Sequence, residues 1–171
     1  MDLHGVITGR VWRLGDNINT DLLHPPSYFS LDGRKVEEGL REGMQRLGAD
    51  LREEHARDGM VIVAGENLGG GSSRETSVRA LRTSGIKAVV AASFARIFYR
   101  SLANLGIPPL ECRGIQRWVR DGDLIRISIK DGFIELDEAG RFPISPLDDH
   151  IEKILQCGGL VPYLRRMLDG I

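Results

Sequence analysis

A glycine-rich stretch followed by two serines and an arginine has the clearest chemical potential in the sequence. It reads Gly65-Glu66-Asn67-Leu68-Gly69-Gly70-Gly71-Ser72-Ser73-Arg74-Glu75. Three consecutive glycines remove every Cβ from the turn, so a ligand could approach the backbone closely. Free N–H groups and the positive end of a following helix would favour an anion there. Arg74 adds a cation with a fork suited to a carboxylate or phosphate, so we predict an anion site.

Ser72 could act at this site as a nucleophile or a general base. Backbone N–H donors and the neighbouring Arg74 would both lower the cost of forming its alkoxide. A serine hydrolase also needs a positioned histidine, and the 4 histidines show no spacing that identifies one. The stretch matches neither G-x-S-x-G nor the Gly-Lys-Ser/Thr ending of a phosphate-binding loop. A second interpretation stays open, in which the glycines form a tight turn and Ser72 with Glu75 only caps a helix.

Two strand–helix units are predicted around this stretch. Residues 60–64 are apolar and β-branched enough for a buried strand, and a helix is predicted over residues 73–83. The pattern repeats with a strand over 86–92, Ser93 as the N-cap, and a helix over 94–105 whose apolar residues contact the core. Successive units of this kind imply an α/β fold with parallel strands. Ligands bind at the carboxyl ends of such strands, where the glycines would lie.

The first third of the chain is predicted to contain a strand, loops and short helices. Partial alternation of apolar and polar residues predicts a strand over residues 6–14. A polar loop is predicted over 18–26, where the Thr20-Asp21 pair is also open to a plain turn interpretation. Loop continues to residue 34, with a turn at Asp32-Gly33. Glycines 39, 43 and 48 then favour broken helices over one long helix.

The last third is predicted to be antiparallel sheet followed by two helices. Residues 124–129 and 133–136 flank a turn and predict a hairpin, with further antiparallel sheet through residue 144. A helix is predicted from residue 148, and Gly158-Gly159 separates it from a last helix over 161–168. No linker or repeat marks a second domain, so we expect a single domain over residues 1–171.

Composition excludes several classes of partner. The net charge of -1 and the lack of a basic face argue against nucleic acid and acidic membranes. No apolar stretch approaches the roughly 20 residues of a membrane span, and no signal peptide is recognisable, so we expect a cytoplasmic protein. Cys112 and Cys157 lie far apart without a Cys/His cluster, so we expect no metal site in this chain. Each cysteine is most simply a small buried hydrophobe.

Several motifs in a fixed order resemble one known family. They are Gly71-Ser72-Ser73-Arg74-Glu75, Gly85-Ile86-Lys87-Ala88-Val89-Val90-Ala91, Ser93-Phe94-Ala95-Arg96-Ile97-Phe98-Tyr99-Arg100, Asn104, Gly106 and Glu111-Cys112, with Gly15-Asp16-Asn17-Ile18-Asn19-Thr20-Asp21 upstream. The chain resembles the small subunits of 3-isopropylmalate dehydratases, which correspond to the swivelling C-terminal domain of the aconitase family. The resemblance implies an aconitase-swivel-like β/β/α domain, with a mixed sheet and flanking helices.

The resemblance also implies an activity and partners. The family dehydrates and rehydrates hydroxy acids, and a [4Fe-4S] cluster on the large subunit acts as Lewis acid on the departing hydroxyl. We therefore expect a hydro-lyase subunit that needs a cluster-bearing large subunit, with a small di- or tricarboxylic hydroxy acid as substrate. Interconversion of 3-isopropylmalate and 2-isopropylmalate in leucine synthesis is the first hypothesis. Homoaconitate, methylmalate or maleate chemistry is the second, and a non-catalytic anion-binding module is the alternative from another class.

Site residues follow from the same resemblance. Ser72 matches the base that removes the carbon-bound proton. Ser73 and Arg74 match residues that contact the substrate carboxylate and the base. Thr20 and Asp21 match residues that face the same cleft.

Departures from the family pattern concern the substrate more than the reaction. The segment Tyr28-Phe29-Ser30-Leu31 resembles the substrate-specificity loop, which in isopropylmalate enzymes often reads Tyr-Leu-Arg-Thr. The expected loop arginine is missing, and Arg34 could supply a cation instead. Leu68, Gly70 and Thr76 stand where Phe, Cys and His are common.

Overall fold

The computed structural model describes residues 5–48, 59–71 and 75–169, which form a seven-stranded sheet with helices packed on it. The strands are β1 (Val6–Arg13), β2 (Met60–Ala64), β3 (Ile86–Ala91), β4 (Pro109–Glu111), β5 (Leu124–Ser128), β6 (Phe133–Leu136) and β7 (Gly140–Pro143). The helices are α1 (Thr20–Leu23), α2 (Gly33–Arg46), α3 (Glu75–Thr83), α4 (Arg96–Asn104), α5 (Asp149–Gln156) and α6 (Leu160–Leu168). Short 3-10 turns occur at Pro26–Tyr28 and Ile115–Arg117.

The sheet combines a parallel and an antiparallel half. Its order is β4-β3-β2-β1-β5-β6-β7, and the strands from β4 to β1 pair in parallel. Strand β5 runs antiparallel to β1, and β6 and β7 continue antiparallel. The predicted parallel units and the predicted hairpin are both confirmed. The mixed sheet with flanking helices is the architecture that the family resemblance implies.

Side chains that alternate between the two faces of the sheet form two separate hydrophobic cores. On one face, Trp12, Ile62 and Val89 are buried under α2, α3 and α4. On the other face, Val63 and Val90 pack with the inward residues of the antiparallel half. Those residues include Ile125, Ile127, Ile134 and Leu136. Because both faces of the parallel strands are covered, these strands are nearly continuous apolar runs.

The sheet curls so that its two edges are bridged. Strand β4 is one edge and β7 the other. Just beyond β7, the Ser145 N–H donates to the carbonyl oxygen of Glu111 in β4 at 2.8 Å. The second core therefore lies inside a partly closed sheet, and the edge of β4 gains a hydrogen-bond partner that limits pairing with other chains.

Helix α2 contradicts the prediction of broken helices. It is continuous over 14 residues, and Gly39 and Gly43 lie buried within it. A Cβ on Gly43 would lie 2.1 Å from the carbonyl oxygen of Leu23, and one on Gly39 would lie 2.4 Å from the Cβ of Tyr28. These glycines allow close helix packing rather than interrupting the helix. Gly48, with φ +81°, follows the helix end as expected.

Other local predictions need correction. The loop predicted over residues 18–26 contains α1, one helical turn. The predicted turn at Asp32 is instead the N-cap of α2, and its side chain accepts from the Arg34 N–H. Ser93 is not a helix cap, because α4 begins at Arg96 and Ser93 Oγ accepts from the Asn67 N–H at 2.9 Å. The predicted capping box of Ser72 and Glu75 includes a residue outside the described ranges.

Candidate functional site

The glycine loop, residues 65–71, lies at the carboxyl edge of the parallel strands between two other loops. One is residues 14–19, which follow β1, and the other is residues 92–95, which follow β3. Because β1, β2 and β3 are parallel, all three loops leave the sheet at the same edge. The predicted location of the glycines at this edge is confirmed.

Backbone hydrogen bonds continue the strand pairing on both sides of the glycine loop. On the β1 side they join Gly65 N–H to Gly15 O (3.1 Å), Asn17 N–H to Glu66 O (2.8 Å), Gly69 N–H to Ile18 O (2.7 Å) and Thr20 N–H to Gly70 O (3.1 Å). On the β3 side they join Leu68 N–H to Ser93 O (3.0 Å) and Ala95 N–H to Leu68 O (2.9 Å). The backbone that leads into Ser72 is thus held from two directions.

Two side-chain contacts fix the start of the loop. Asp16 Oδ1 accepts from the Glu66 N–H at 2.8 Å, and a Cβ on Gly65 would lie 1.7 Å from that oxygen. Asn67 Nδ2 donates to Asn17 Oδ1 at 3.0 Å, and both asparagines adopt positive φ, 54° and 56°. Asn tolerates this region better than most residues. No role was predicted for these side chains, although each asparagine stands two residues after a glycine, Gly15 or Gly65.

The three consecutive glycines of the loop, Gly69 to Gly71, differ in backbone conformation and in the space around them. Gly69 has φ +84°, and its Cβ would lie 2.1 Å from Phe98 Cγ. Gly71 has φ +93° and passes close to Asn19. Gly70 has no positive φ, and its Cβ would meet only Asn67 Nδ2 at 3.8 Å. Position 70 therefore has room for a side chain, whereas position 69 does not.

Thr20 and Asp21 lie in the first turn of α1, directly against the glycine loop. The side chain of Asn19 caps this turn by accepting from the Leu22 N–H at 2.8 Å. Thr20 is 2% exposed, and its Oγ1 would lie 4.0 Å from a Cβ on Gly71. Asp21 Oδ1 is buried and has no hydrogen-bond partner among the described residues.

Ser72, Ser73 and Arg74 lie outside the described residues, so their predicted roles remain predictions. They follow directly on Gly71 and precede Glu75, the first residue of α3. On their N-terminal side, residues 65–70 are hydrogen-bonded to residues 15–20 and 92–95.

The segment Tyr28-Phe29-Ser30-Leu31 connects α1 to α2. Phe29 stacks on His24, with ring centroids 5.4 Å apart and an interplanar angle of 18°. A hydrogen bond to the Glu42 carboxylate raises the pKa of Tyr28. Ser30 Oγ accepts from the Asp32 N–H at 3.1 Å, whereas Leu31 is 89% exposed. Three residues of the segment are thus anchored, and the fourth is free to meet a ligand or partner.

His24 packs against Phe29 of this segment. It is 0% exposed, and its Nε2 lies 3.0 Å from the Val36 carbonyl oxygen. Its Nδ1 is buried and makes no hydrogen bond within the described ranges. Burial lowers the pKa of His24, and the bond to Val36 opposes this only partly. A neutral imidazole with Nε2–H donating to Val36 fits these surroundings.

A hollow of about 440 Å³ opens on the β3 side of the glycine loop. Its lining is Gly69, Gly71, Ala95, Arg96, Ile97 and Arg100. Ile97 was predicted to be a core contact of its helix, but it is 60% exposed, because the buried face of α4 is formed by Phe98, Leu102 and Ala103 and Ile97 lies outside that face. No role was predicted for Arg96 or Arg100 from the sequence. A larger hollow of about 570 Å³, lined by residues such as Arg117 and Asp137, does not include the glycine loop.

The cysteines offer no metal centre in the described part of the chain. Cys112 is 1% exposed, and burial raises the pKa of its thiol to about 11, so it stays protonated. Cys157 is half-buried after α5. No group of three or more His, Cys, Asp or Glu side chains among the described residues could hold a metal ion. No described helix has the length and apolar character needed to cross a membrane.

Comparisons with known proteins agree on one family. The family described as the aconitase C-terminal domain matches residues 33–114. A 3-isopropylmalate dehydratase small subunit of Methanopyrus kandleri is 42% identical over 96% of this chain and 95% of its own. A methanogen homoaconitase small subunit of Methanothermobacter thermautotrophicus is 39% identical over 98% of this chain and 95% of its own. A crystal structure of 3-isopropylmalate dehydratase from Methanocaldococcus jannaschii superposes with a TM-score of 0.83 at 34% identity, covering 97% of this chain and 98% of that one.

Proposed function

Since the chain belongs to the family of 3-isopropylmalate dehydratase small subunits, we propose that it supplies the proton-transfer half of a two-chain hydro-lyase active site. The other half would be a larger subunit that carries a [4Fe-4S] cluster. We propose that the pair interconverts 3-isopropylmalate and 2-isopropylmalate in the cytoplasm, as part of leucine synthesis.

The observation that carries this proposal is the double attachment of the glycine loop. Hydrogen bonds from residues 15–20 and from residues 92–95 hold the loop as far as Gly70, two residues before Ser72. A general base must lie within hydrogen-bond reach of the proton that it removes, so its backbone must be held. A rigid loop next to the polar first turn of α1 meets that requirement.

Each residue of this chain has a distinct role in the proposal. Ser72 Oγ takes the carbon-bound proton, and Arg74 holds a substrate carboxylate and favours the alkoxide form of the serine. Ser73 contacts the same carboxylate. Thr20 and Asp21 face the substrate from α1, and Asp21 Oδ1 makes no hydrogen bond among the described residues. The cluster of the partner would act as Lewis acid on the departing hydroxyl.

The relatives and the sequence leave two candidate substrates, which differ in their side group. Relatives of similar identity carry different names, 3-isopropylmalate dehydratase at 42% and homoaconitase at 39%. The segment Tyr28-Phe29-Ser30-Leu31 lacks the arginine common in isopropylmalate enzymes. Homoaconitate is therefore the second candidate, with Arg34 as the cation for its extra carboxylate.

Reconstitution with a panel of substrates tests the function. The chain is co-expressed anaerobically with the candidate large subunit from the same genome, the cluster is reconstituted, and ultraviolet absorbance follows the unsaturated acid. Turnover of 3-isopropylmalate supports the leucine-pathway assignment. Turnover of homoaconitate or a methylmalate keeps the mechanism and changes the pathway.

Two results would reject the proposal. If no substrate of the panel is turned over although the cluster is intact, an anion-binding module would be favoured. Turnover by the iron-free small chain alone would contradict the need for a second subunit.

A further inference from the structure

The first turn of α4 presents an exposed apolar residue between two arginines. Ile97 is 60% exposed, and Arg96 and Arg100 are both exposed. All three line the 440 Å³ hollow beside the glycine loop. We call Arg96, Ile97 and Arg100 the α4 surface.

The charges of the α4 surface are unfavourable in the chain by itself. Arg96 and Arg100 are four residues apart on one helix, where like charges repel. Arg96 is the first residue of α4, where the positive dipole end also disfavours a cation. The structure pairs neither guanidinium with an acid among the described residues. An external carboxylate would relieve both repulsions.

The composition of the α4 surface fits a protein partner better than a small acid. Ile97 is a large apolar side chain in solvent, and arginine is among the residues enriched at the cores of interfaces. The other lining of the hollow is Ala95 and the backbone of Gly69 and Gly71, so an acidic side chain could enter and reach both arginines.

We propose that the α4 surface docks an acidic segment of the cluster-bearing larger subunit, an inference that rests on the proposed function. The α4 surface borders the glycine loop, so a partner that completes the active site over Ser72 must come close to it. Arg96 and Arg100 pair with carboxylates of that segment, and Ile97 packs against its apolar side chains.

Charge reversal with a matched control tests the docking. The double variant Arg96→Glu/Arg100→Glu is compared with Lys130→Glu/Lys153→Glu, which changes the net charge equally. Lys130 follows β5, whose Ser128 pairs with Val6 at the start of β1, so it lies at the opposite edge of the sheet. Ile97→Ser tests the apolar contact without a charge change. If Arg96→Glu/Arg100→Glu fails to fold, Arg96→Gln/Arg100→Gln is used in its place.

Calorimetric titration of each folded variant with the candidate large subunit gives Kd without substrate. We expect the arginine reversal to raise Kd at least about tenfold, and the lysine control to change it by less than about twofold. Salt should weaken the wild-type complex more than the reversed one.

The other outcomes overturn the inference or the function separately. Wild-type Kd in the arginine variants overturns the docking, as does an unchanged Kd with a raised KM, which would assign the arginines to substrate. A wild-type pair that binds without any turnover rejects the proposed function alone. A wild-type pair that does not bind rejects both.

Discussion

Gly43 of α2 lies directly against the carbonyl oxygen of Leu23, the last residue of α1. A Cβ at position 43 would be 2.1 Å from that oxygen and 2.5 Å from its carbon. These are backbone atoms of the short helix that carries Thr20 and Asp21. The position of the polar first turn of α1 therefore depends on a glycine two elements away.

Gly43→Ala should destabilise the protein and displace α1. Overpacking of this kind costs about 1–3 kcal/mol, because backbone atoms must move. Gly33→Ala is the matched control in the same helix, since a Cβ there meets nothing within 4 Å. Alanine is the better helix former, so the control should be neutral or stabilising by up to about 1 kcal/mol. Urea unfolding of both variants measures the difference, and equal stabilities would contradict the packing argument.

The parts of the fold that follow from local patterns were predictable. Strand β1 alternates partly between apolar and polar residues, β2 and β3 are apolar runs, and the hairpin of β5 and β6 flanks an Asp-Gly turn. The glycines of α2 were misjudged because the same residue either ends a helix or permits close packing. Which of the two applies depends on the neighbour, here Leu23, and no pattern within α2 encodes that neighbour.

The site was predictable to a similar extent. The glycine loop was placed correctly because carboxyl ends of parallel strands share one edge. Its bonding to residues 14–20 was not foreseen, since it depends on β1 lying beside β2 in the sheet order. The outward position of Ile97 was missed because Ile97 and Phe98 are adjacent apolar residues, and the pattern does not show that only Phe98 packs inward.

Substitution by alanine should be harmful at Gly69 and tolerated at Gly70. Gly69→Ala places a Cβ at φ +84° and against Phe98, so we expect a loss of about 2 kcal/mol or more and reduced turnover in the assembled enzyme. Gly70→Ala meets only Asn67 Nδ2 at 3.8 Å and should keep stability and activity. Thermal unfolding and turnover are measured on both. Comparable losses at the two positions would show that the loop backbone is not held as described.

His24 should make stability depend on pH in a specific direction. Burial lowers its folded pKa below the ordinary value of 6.5, so the unfolded chain takes up the proton first as pH falls. The contribution of His24 to stability is therefore complete above pH 6.5 and declines as pH drops from 6.5 towards the folded pKa. His24→Gln should flatten the slope of unfolding free energy between about pH 5 and 7. The same slope in both proteins would mean that other groups cause it.

Arg34→Gln tests whether this arginine replaces the missing cation of the specificity loop. Arg34 is exposed in the first turn of α2, three residues after Leu31, where the segment ends. Loss of a charge-assisted bond to a substrate carboxylate should raise KM about tenfold or more and leave kcat nearly unchanged. Lys35→Gln removes a neighbouring exposed charge and is the control. Equal KM values in the two variants would remove Arg34 from the site.

Ser72→Ala separates catalysis from binding in the assembled enzyme. Removal of a general base should lower kcat by about 10²–10⁴-fold, while substrate affinity is kept because the carboxylate contacts remain. Ser84→Ala is the control, since Ser84 follows α3 at the end away from the glycine loop. Assembly with the larger subunit should be normal in both variants, as Ser72 is not part of the α4 surface. Turnover that survives in Ser72→Ala would assign the proton transfer to another group. Asp21, whose Oδ1 has no hydrogen-bond partner among the described residues, would then be the next residue to substitute.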